Sequence, residues 1–415
     1  MELSILVYVL MIIAFAKGLG EVLSRVHQPA IVGELLAGIV LGPFILGKIF
    51  TSLGNMYDDQ FIKNLGDLGM LFLMLYVGLE FSPKLIRSAS WLGGAIAAVG
   101  IGIPLVLGLL VGVYFDLSGL TLVFVAIAMS VTALPVTIRI LKDMEVLRTR
   151  TSATIVSAAL ITDVILLFAF GIVLGTDQQS TTFRTVAYLA VSFVIFFALA
   201  LLVGRFFVPH VYGVLRWMRT GEAAFAVAVG IAIGFAIVAE WAGLPGVIGA
   251  FVAGLILRET GTRLKVWHRV EDILSGVTLG FLAPIFFVVI GFSVDFGSVV
   301  DYLPLFASIM GIAIVGKIVG SYIPARIGGL GRNESMAIGS MMMGKGAMEL
   351  VFAQLAFEQG LIEQYLFSLL VLTAFLSTVL APMLFKFYYN RAVKAQELPV
   401  EVKEHDILTE SISSR

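Results

Sequence analysis

Two stretches decide the reading: SVTALPVTIRIL at 130–141 and SMMMGKGAMEL at 340–350. Each lies inside an apolar run long enough to cross a membrane, and each interrupts that run. In the first, the polar Ser130-Val131-Thr132 comes just before Pro135. Proline has no amide hydrogen to donate, and its ring clashes with the preceding turn. In the second, Gly344 and Gly346 flank Lys345, so two poor helix formers surround a charge. Taken singly, a proline kink or a packing glycine is common in membrane helices. As a matched pair they favour two unwound segments that cross at one site.

Composition puts these stretches in lipid. Apolar residues fill 59% of the 415 positions and charged residues 13%, with a mean hydropathy of +1.03. A water-soluble domain carries about 25% charged residues, so this chain cannot cover a water-facing surface. The absence of cysteine excludes disulfides, thiolate metal sites and thiol catalysis. His27, His210, His268 and His405 fall in predicted loops or in the tail, which argues against an imidazole metal site. No cofactor and no enzymatic activity are expected. A formal net charge of −1 gives no reason to expect nucleic acid as a partner.

Only helices and closed barrels satisfy their backbone in hydrocarbon, and the chain lacks the period-two alternation of barrel strands. At about 20 residues per crossing, an all-α membrane protein with 13 transmembrane helices is predicted, with spans at 3–24, 30–46, 64–81, 90–114, 118–141, 150–175, 185–207, 222–240, 244–258, 273–293, 302–325, 334–358 and 361–388. Met1-Glu2-Leu3 shows no basic leader or cleavage site, so the first segment is read as a span. Residues 1–390 form one membrane domain. Residues 391–415 are read as a short cytoplasmic tail, without a glycine-rich nucleotide fingerprint.

Basic residues set the orientation. Alternate loops hold Arg25; Lys84 and Arg87; Arg139, Lys142, Arg148 and Arg150; Arg205, Arg216 and Arg219; Arg258, Arg263, Lys265 and Arg269; Arg326 and Arg332. The C-terminal stretch adds Lys386, Arg391, Lys394, Lys403 and Arg415, whereas the opposite loops hold only Lys48, Lys63 and Arg184. By the positive-inside rule the N-terminus faces out and the C-terminus faces the cytoplasm. The expected location is a cell inner membrane. Lys17, Lys317 and Lys345 lie within spans. Lys17 is near a helix end and is expected to snorkel.

Thirteen helices divide into six, a linker and six. Because the single linker flips the chain, the second half is inverted relative to the first. Both interruptions then occupy the fifth helix of their half. Such inverted-repeat carriers place the substrate midway across the membrane, between broken helices. Asp163, in TSATIVSAALITDVILLFAFGIVLG (151–175), lies at that depth. An aspartate at the bilayer centre costs on the order of 2.5–3.5 kcal/mol even on mild scales, so a function is the default expectation. The plain alternative is a protonated, hydrogen-bonded Asp. A carboxyl in this setting can hold a proton or a dehydrated alkali cation, but not both.

Lys317 is the corresponding intramembrane base, expected beside the crossing with Asp163, Thr162 or a half-helix carbonyl as its partner. Lys345 and Glu349 are four residues apart on one helix face and can simply pair. Glu34, Glu80 and Glu240 stand near predicted span ends, where interfacial water accounts for them.

At these residues the sequence resembles the monovalent cation:proton antiporter-2 family, relatives of bacterial sodium/proton and potassium-efflux antiporters. The matching stretches are GELLAGIVLGP (33–43), FLMLYVGLEF (72–81), SVTALPVTIRIL (130–141), ITDV (161–164), GVIGAFVAGLIL (246–257), LAPIFFVVIGFSVD (282–295) and GKGAMEL (344–350). The resemblance implies the sodium/proton antiporter fold and a homodimer. Helices 1–3 and 8–10 would form the interface part. Helices 4–6 and 11–13 would form a core that carries the ion in an elevator movement. It also implies that Asp163 binds sodium or potassium, that Thr162, Thr132 and Ser130 lie beside the ion, and that Lys317 is the core lysine. Two departures stand out. Electrogenic members carry two adjacent acids where this chain has Thr162-Asp163, which points to electroneutral exchange. Many members also place an acid directly after the basic-Gly pair, where Ala347 stands here and Glu349 follows two later. A sodium-coupled symporter for an organic solute and a channel-like potassium efflux component are the competing readings.

Overall fold

The computed structural model describes residues 3–26, 28–49, 56, 57, 59–80, 91–144, 146, 149–175, 191, 221–261 and 267–398. Regular structure among the described residues is entirely helical. The first half comprises α1 (Leu3–Arg25), α2 (Ala30–Leu41), α3 (Gln60–Glu80), α4 (Trp91–Tyr114), α5 (Gly119–Met129), α6 (Leu134–Asp143) and α7 (Arg150–Leu174). The second comprises α8 (Gly221–Trp241), α9 (Gly246–Gly261), α10 (Trp267–Val277), α11 (Ala283–Phe292), α12 (Leu303–Gly311), α13 (Lys317–Ile327), α14 (Arg332–Met342), α15 (Ala347–Glu358) and α16 (Gln364–Lys394). Among the described residues, eight helices are long and apolar enough to cross a membrane, counting α10 with α11 and α12 with α13 as one each. Helices fall on every predicted segment except 185–207, of which only Val191 is among the described residues.

Local chemistry accounts for several boundaries. Thr149 caps α7 by accepting the Ser152 amide at 3.1 Å, which satisfies one of the orphan donors of the first turn. The apolar run that follows has no reason to stop until Gly175. The sequence did not signal two π turns, Thr278–Leu282 between α10 and α11 and Ile312–Gly316 between α12 and α13. Both are continuous with their helices, so the chain still crosses as one rod. Each shifts the hydrogen-bond register and re-aims the residues beyond it.

Packing falls chiefly within two groups. Helices α1, α2, α3, α8, α9, α10 and α11 contact one another, and α4, α5, α7, α12, α13, α14 and α16 do likewise. In the first group, glycine lets backbones touch. A Cβ on Gly38 of α2 would stand 2.3 Å from Val288 O of α11, and one on Gly254 of α9 would stand 2.3 Å from Leu75 O of α3. The same contact thus occurs twice, once in Ala37-Gly38 and once in Ala253-Gly254. Lipid tails are as apolar as leucine, so close van der Waals packing of this kind is what holds membrane helices together.

Helix α16 continues to Lys394, and Glu397 accepts from Asn333 N (2.7 Å), Asn333 Nδ2 (2.9 Å) and Glu334 N (3.0 Å). The N-terminus of α14, which starts after Gly331 and has no side-chain cap of its own, thus takes its capping carboxylate from beyond α16.

The Gly254→Ala variant forces backbone apart at the α3–α9 contact and is expected to cost about 1–3 kcal/mol. Its unfolding temperature in detergent should fall, whereas Gly230→Ala, where an added Cβ meets nothing within 4 Å, should leave it unchanged.

Candidate functional site

Breaking a helix leaves carbonyls at the end of one half and amides at the start of the next without helical partners. Here the break between α5 and α6 spans Ser130–Ala133, and the break between α14 and α15 spans Met343–Gly346. Each break supplies partners for the other. Ala133 N–H donates to Gly344 O at 2.9 Å, and Thr132 Oγ1 donates to Met342 O at 2.8 Å. Lys345 Nζ donates to Ala128 O at 2.5 Å, which places a cation at the C-terminal, negative end of α5. A Cβ on Gly346 would lie 2.5 Å from Ala133 Cβ, so the crossing admits only glycine there. From α16, Thr378 Oγ1 donates to Lys345 O at 2.7 Å.

Asp163, near the middle of α7, meets this crossing from the side. Its Oδ2 accepts from Leu134 N–H at 3.1 Å, and its residue surface is 3% exposed. The carboxyl therefore caps the N-terminal, positive end of α6, where a carboxylate is favoured. It also lies on the wall of a cavity of about 590 Å³, which extends along Tyr76, Glu80, Glu34 and Lys17 towards α1, α2 and α3. One carboxyl is thus held by the crossing and borders the cavity.

The other predicted residues divide by role. Thr132 ties the two breaks together. Ser130 Oγ donates to Ala126 O (3.1 Å) and Ile101 O (3.2 Å), which fastens the end of α5 to α4. Thr162 is fully buried, and its Oγ1 has no hydrogen-bond partner among the described residues. None of Ser130, Thr132 and Thr162 is among the described residues lining the cavity. Lys345 and Glu349 pair at 2.6 Å, with both side chains 1% exposed. Lys317 follows directly on a π turn and is fully buried, and its Nζ forms no hydrogen bond among the described residues. Instead of a direct partner, it has the charges of Asp163, Lys345 and Glu349 around it.

One ion pair on the cavity wall was not expected from the sequence. Lys17, expected to snorkel, has partners that the sequence did not signal: its Nζ donates to Glu34 Oε1 at 2.8 Å and to Leu279 O at 2.5 Å. Glu34 is 5% exposed and so is buried, not interfacial. Position along a span gives depth but not the facing helix, and these two residues face the cavity. The buried contact of Thr151 Oγ1 with Glu334 Oε1, at 2.7 Å, also carried no sequence signal beyond an acid near a helix start. Among the described residues there is no cluster of three or more His, Asp or Glu able to hold a metal ion.

An all-helical membrane protein with two crossed, interrupted helices and a buried carboxyl beside them has the architecture of a secondary ion carrier. A family model described as "Sodium/hydrogen exchanger, transmembrane" matches residues 7–390, and the chain belongs to that family. It is 29% identical over 400 residues to the Na(+)/H(+)-K(+) antiporter GerN of Bacillus cereus, covering 96% of this chain and 99% of the relative. A Na(+)/H(+) antiporter of Enterococcus hirae is 27% identical over 386 residues, covering 92% and 98%. The solved structure of the sodium proton antiporter MjNhaP1 from Methanocaldococcus jannaschii superposes with a TM-score of 0.71 at 15% identity. It covers 94% of this chain and 98% of that one, a likeness of fold.

The buried Lys345–Glu349 pair yields a stability test. Glu349→Gln strands a buried ammonium and is expected to destabilise by about 3–5 kcal/mol. Replacing both residues by Met should recover part of that loss, seen as a double variant that melts above the single one.

Proposed function

We propose that this chain is a secondary antiporter that exchanges a monovalent cation, sodium or potassium, for protons at Asp163. The observation that carries this reading is the Asp163 carboxyl, buried in the membrane core, held at the start of a half-helix and lining a large cavity. An ionised carboxylate alone is costly to carry through hydrocarbon. A proton or an alkali cation each neutralises it, and only one can be bound at a time. The carrier then crosses loaded with either, which couples the two fluxes. The names of the antiporter relatives from Bacillus cereus and Enterococcus hirae support the same substrates.

In this reading thirteen helices form two inverted six-helix repeats around a linker. The duplicated Gly38 and Gly254 contacts, and the crossing of the two fifth helices, fit such symmetry. Helices 1–3 and 8–10 serve as the interface part of a homodimer. Helices 4–6 and 11–13 serve as the moving core, an assignment supported by the two packing groups. The cavity reaches the part of α1 before Arg25 and the end of α3 at Glu80, the side read as cytoplasmic, so the conformation is inward-facing. The N-terminus lies outside and the C-terminus in the cytoplasm of a cell inner membrane, an orientation supported by the distribution of the basic residues. Thr162 in place of a second acid leaves one titrating carboxyl per cycle, hence one-for-one, electroneutral exchange.

In vesicles loaded with a pH dye, sodium or potassium added to the wild type should drive proton movement. Asp163→Asn should abolish it while remaining monodisperse with an unchanged melting temperature, because an amide cannot alternate between proton and cation. Proton release that persists in Asp163→Asn would refute the site.

Moving one net charge across 100 mV is worth about 2.3 kcal/mol. Exchange by the wild type should therefore proceed at the same rate with and without an imposed potential. Acceleration by the potential would overturn electroneutrality while leaving antiport intact.

A further inference from the structure

The wall of the cavity opposite the crossing carries a second arrangement of oxygens around a cation, and that cation belongs to the protein. Lys17 Nζ, from α1, sits between Glu34 Oε1 of α2 at 2.8 Å and Leu279 O at 2.5 Å. Leu279 lies in the π turn after α10. There Ala283 N–H reaches back five residues to Thr278 O, a register slip that lets a carbonyl be aimed out of the ladder. The Glu34 side chain is 7% exposed, and that of Lys17 is 40% exposed. The carboxylate is therefore buried, while Lys17, whose ammonium is carried on a flexible four-carbon stem, is partly exposed on the cavity wall. Lys17, Glu34 and Leu279 line the same cavity as Asp163.

A pair whose only task were to join α1 to α2 would be expected between the helices, away from water. This one is set on the wall of the ion path. A carboxylate and a backbone carbonyl are also the oxygens that replace the hydration shell of an alkali ion. An ammonium in such a cradle occupies the place of a dehydrated monovalent cation. If Lys17 swings into the cavity, where water solvates it, the same oxygens face an incoming ion. The exchange of one unit positive charge for another leaves the charge at Glu34 compensated throughout.

We propose that Glu34 and the Leu279 carbonyl form a vestibule site for the transported monovalent cation, which Lys17 occupies as a tethered competitor until the ion displaces it. The proposal rests on the antiport reading above and assigns its access step. Glu34 concentrates the ion beside the cavity, and Asp163 receives it.

The two partners should then shift the half-saturating cation concentration in opposite directions. In dye-loaded vesicles with sodium or potassium, Glu34→Gln should raise it roughly tenfold, with a smaller effect on the maximal rate. Lys17→Met, which keeps the stem and removes the charge, should lower it several-fold. Two variants that both melt earlier and slow exchange, with half-saturation unmoved or moved the same way, would make the pair a structural tie and overturn the site. If Glu34→Gln cannot be recovered folded, Lys17→Met decides alone, since an unchanged or higher half-saturating concentration overturns the proposal. A wild type that exchanges nothing would instead refute antiport itself, before either variant is compared.

Discussion

Hydrocarbon offers no water to a broken helix, and the rest of this structure answers to that constraint. Two helices are interrupted, and several of the polar groups exposed by each are met by the other or by nearby side chains. Ala133 N–H finds Gly344 O, Thr132 finds Met342 O, Lys345 finds Ala128 O, and Asp163 finds Leu134 N–H. Neither break could stand alone. The crossing is thus a mutual cap, and its by-product is a carboxyl fixed to within a hydrogen bond at a helix start. Glu349 follows from the same constraint, since the lysine that closes α5 must itself be compensated.

The breaks were legible because proline and glycine act on the backbone of their own segment, whatever surrounds them. Pro135 and the Gly344–Gly346 pair announce lost helical hydrogen bonds, and the apolar runs around them announce depth. Asp163 was legible for a related reason, because a carboxyl with no other charged residue within twelve positions on either side has no solvent to explain it. What could not be read was direction. Lys17 and Glu34 lie in segments whose depth the sequence states and whose facing neighbours it does not, so an ion pair on the cavity wall passed for two interfacial charges. Ser130 and Thr132 stood where the fifth helix breaks, yet their hydroxyls turn to carbonyls of α4, α5 and α14.

The π turns were illegible for a different reason. A one-residue slip in the ladder changes neither composition nor hydropathy, and Thr278–Leu282 and Ile312–Gly316 contain no proline. Their effects are nonetheless specific. One turn aims the Leu279 carbonyl at Lys17, and the other immediately precedes the buried Lys317. Of the three lysines inside the spans, Lys17 thus bonds a carbonyl of one π turn, Lys317 directly follows the other, and Lys345 sits in the crossing.

The docking of Glu397 on the start of α14 has a mechanical consequence. The chain leaves the membrane through α16 and is fastened at once to another helix of the same packing group. Glu397 is therefore tied to that group, at the end of the described residues. If the groups slide past each other as proposed, the segment around Glu397 is a handle on the moving body. A fluorophore attached there would report the stroke directly, and a bulky attachment would weigh on it.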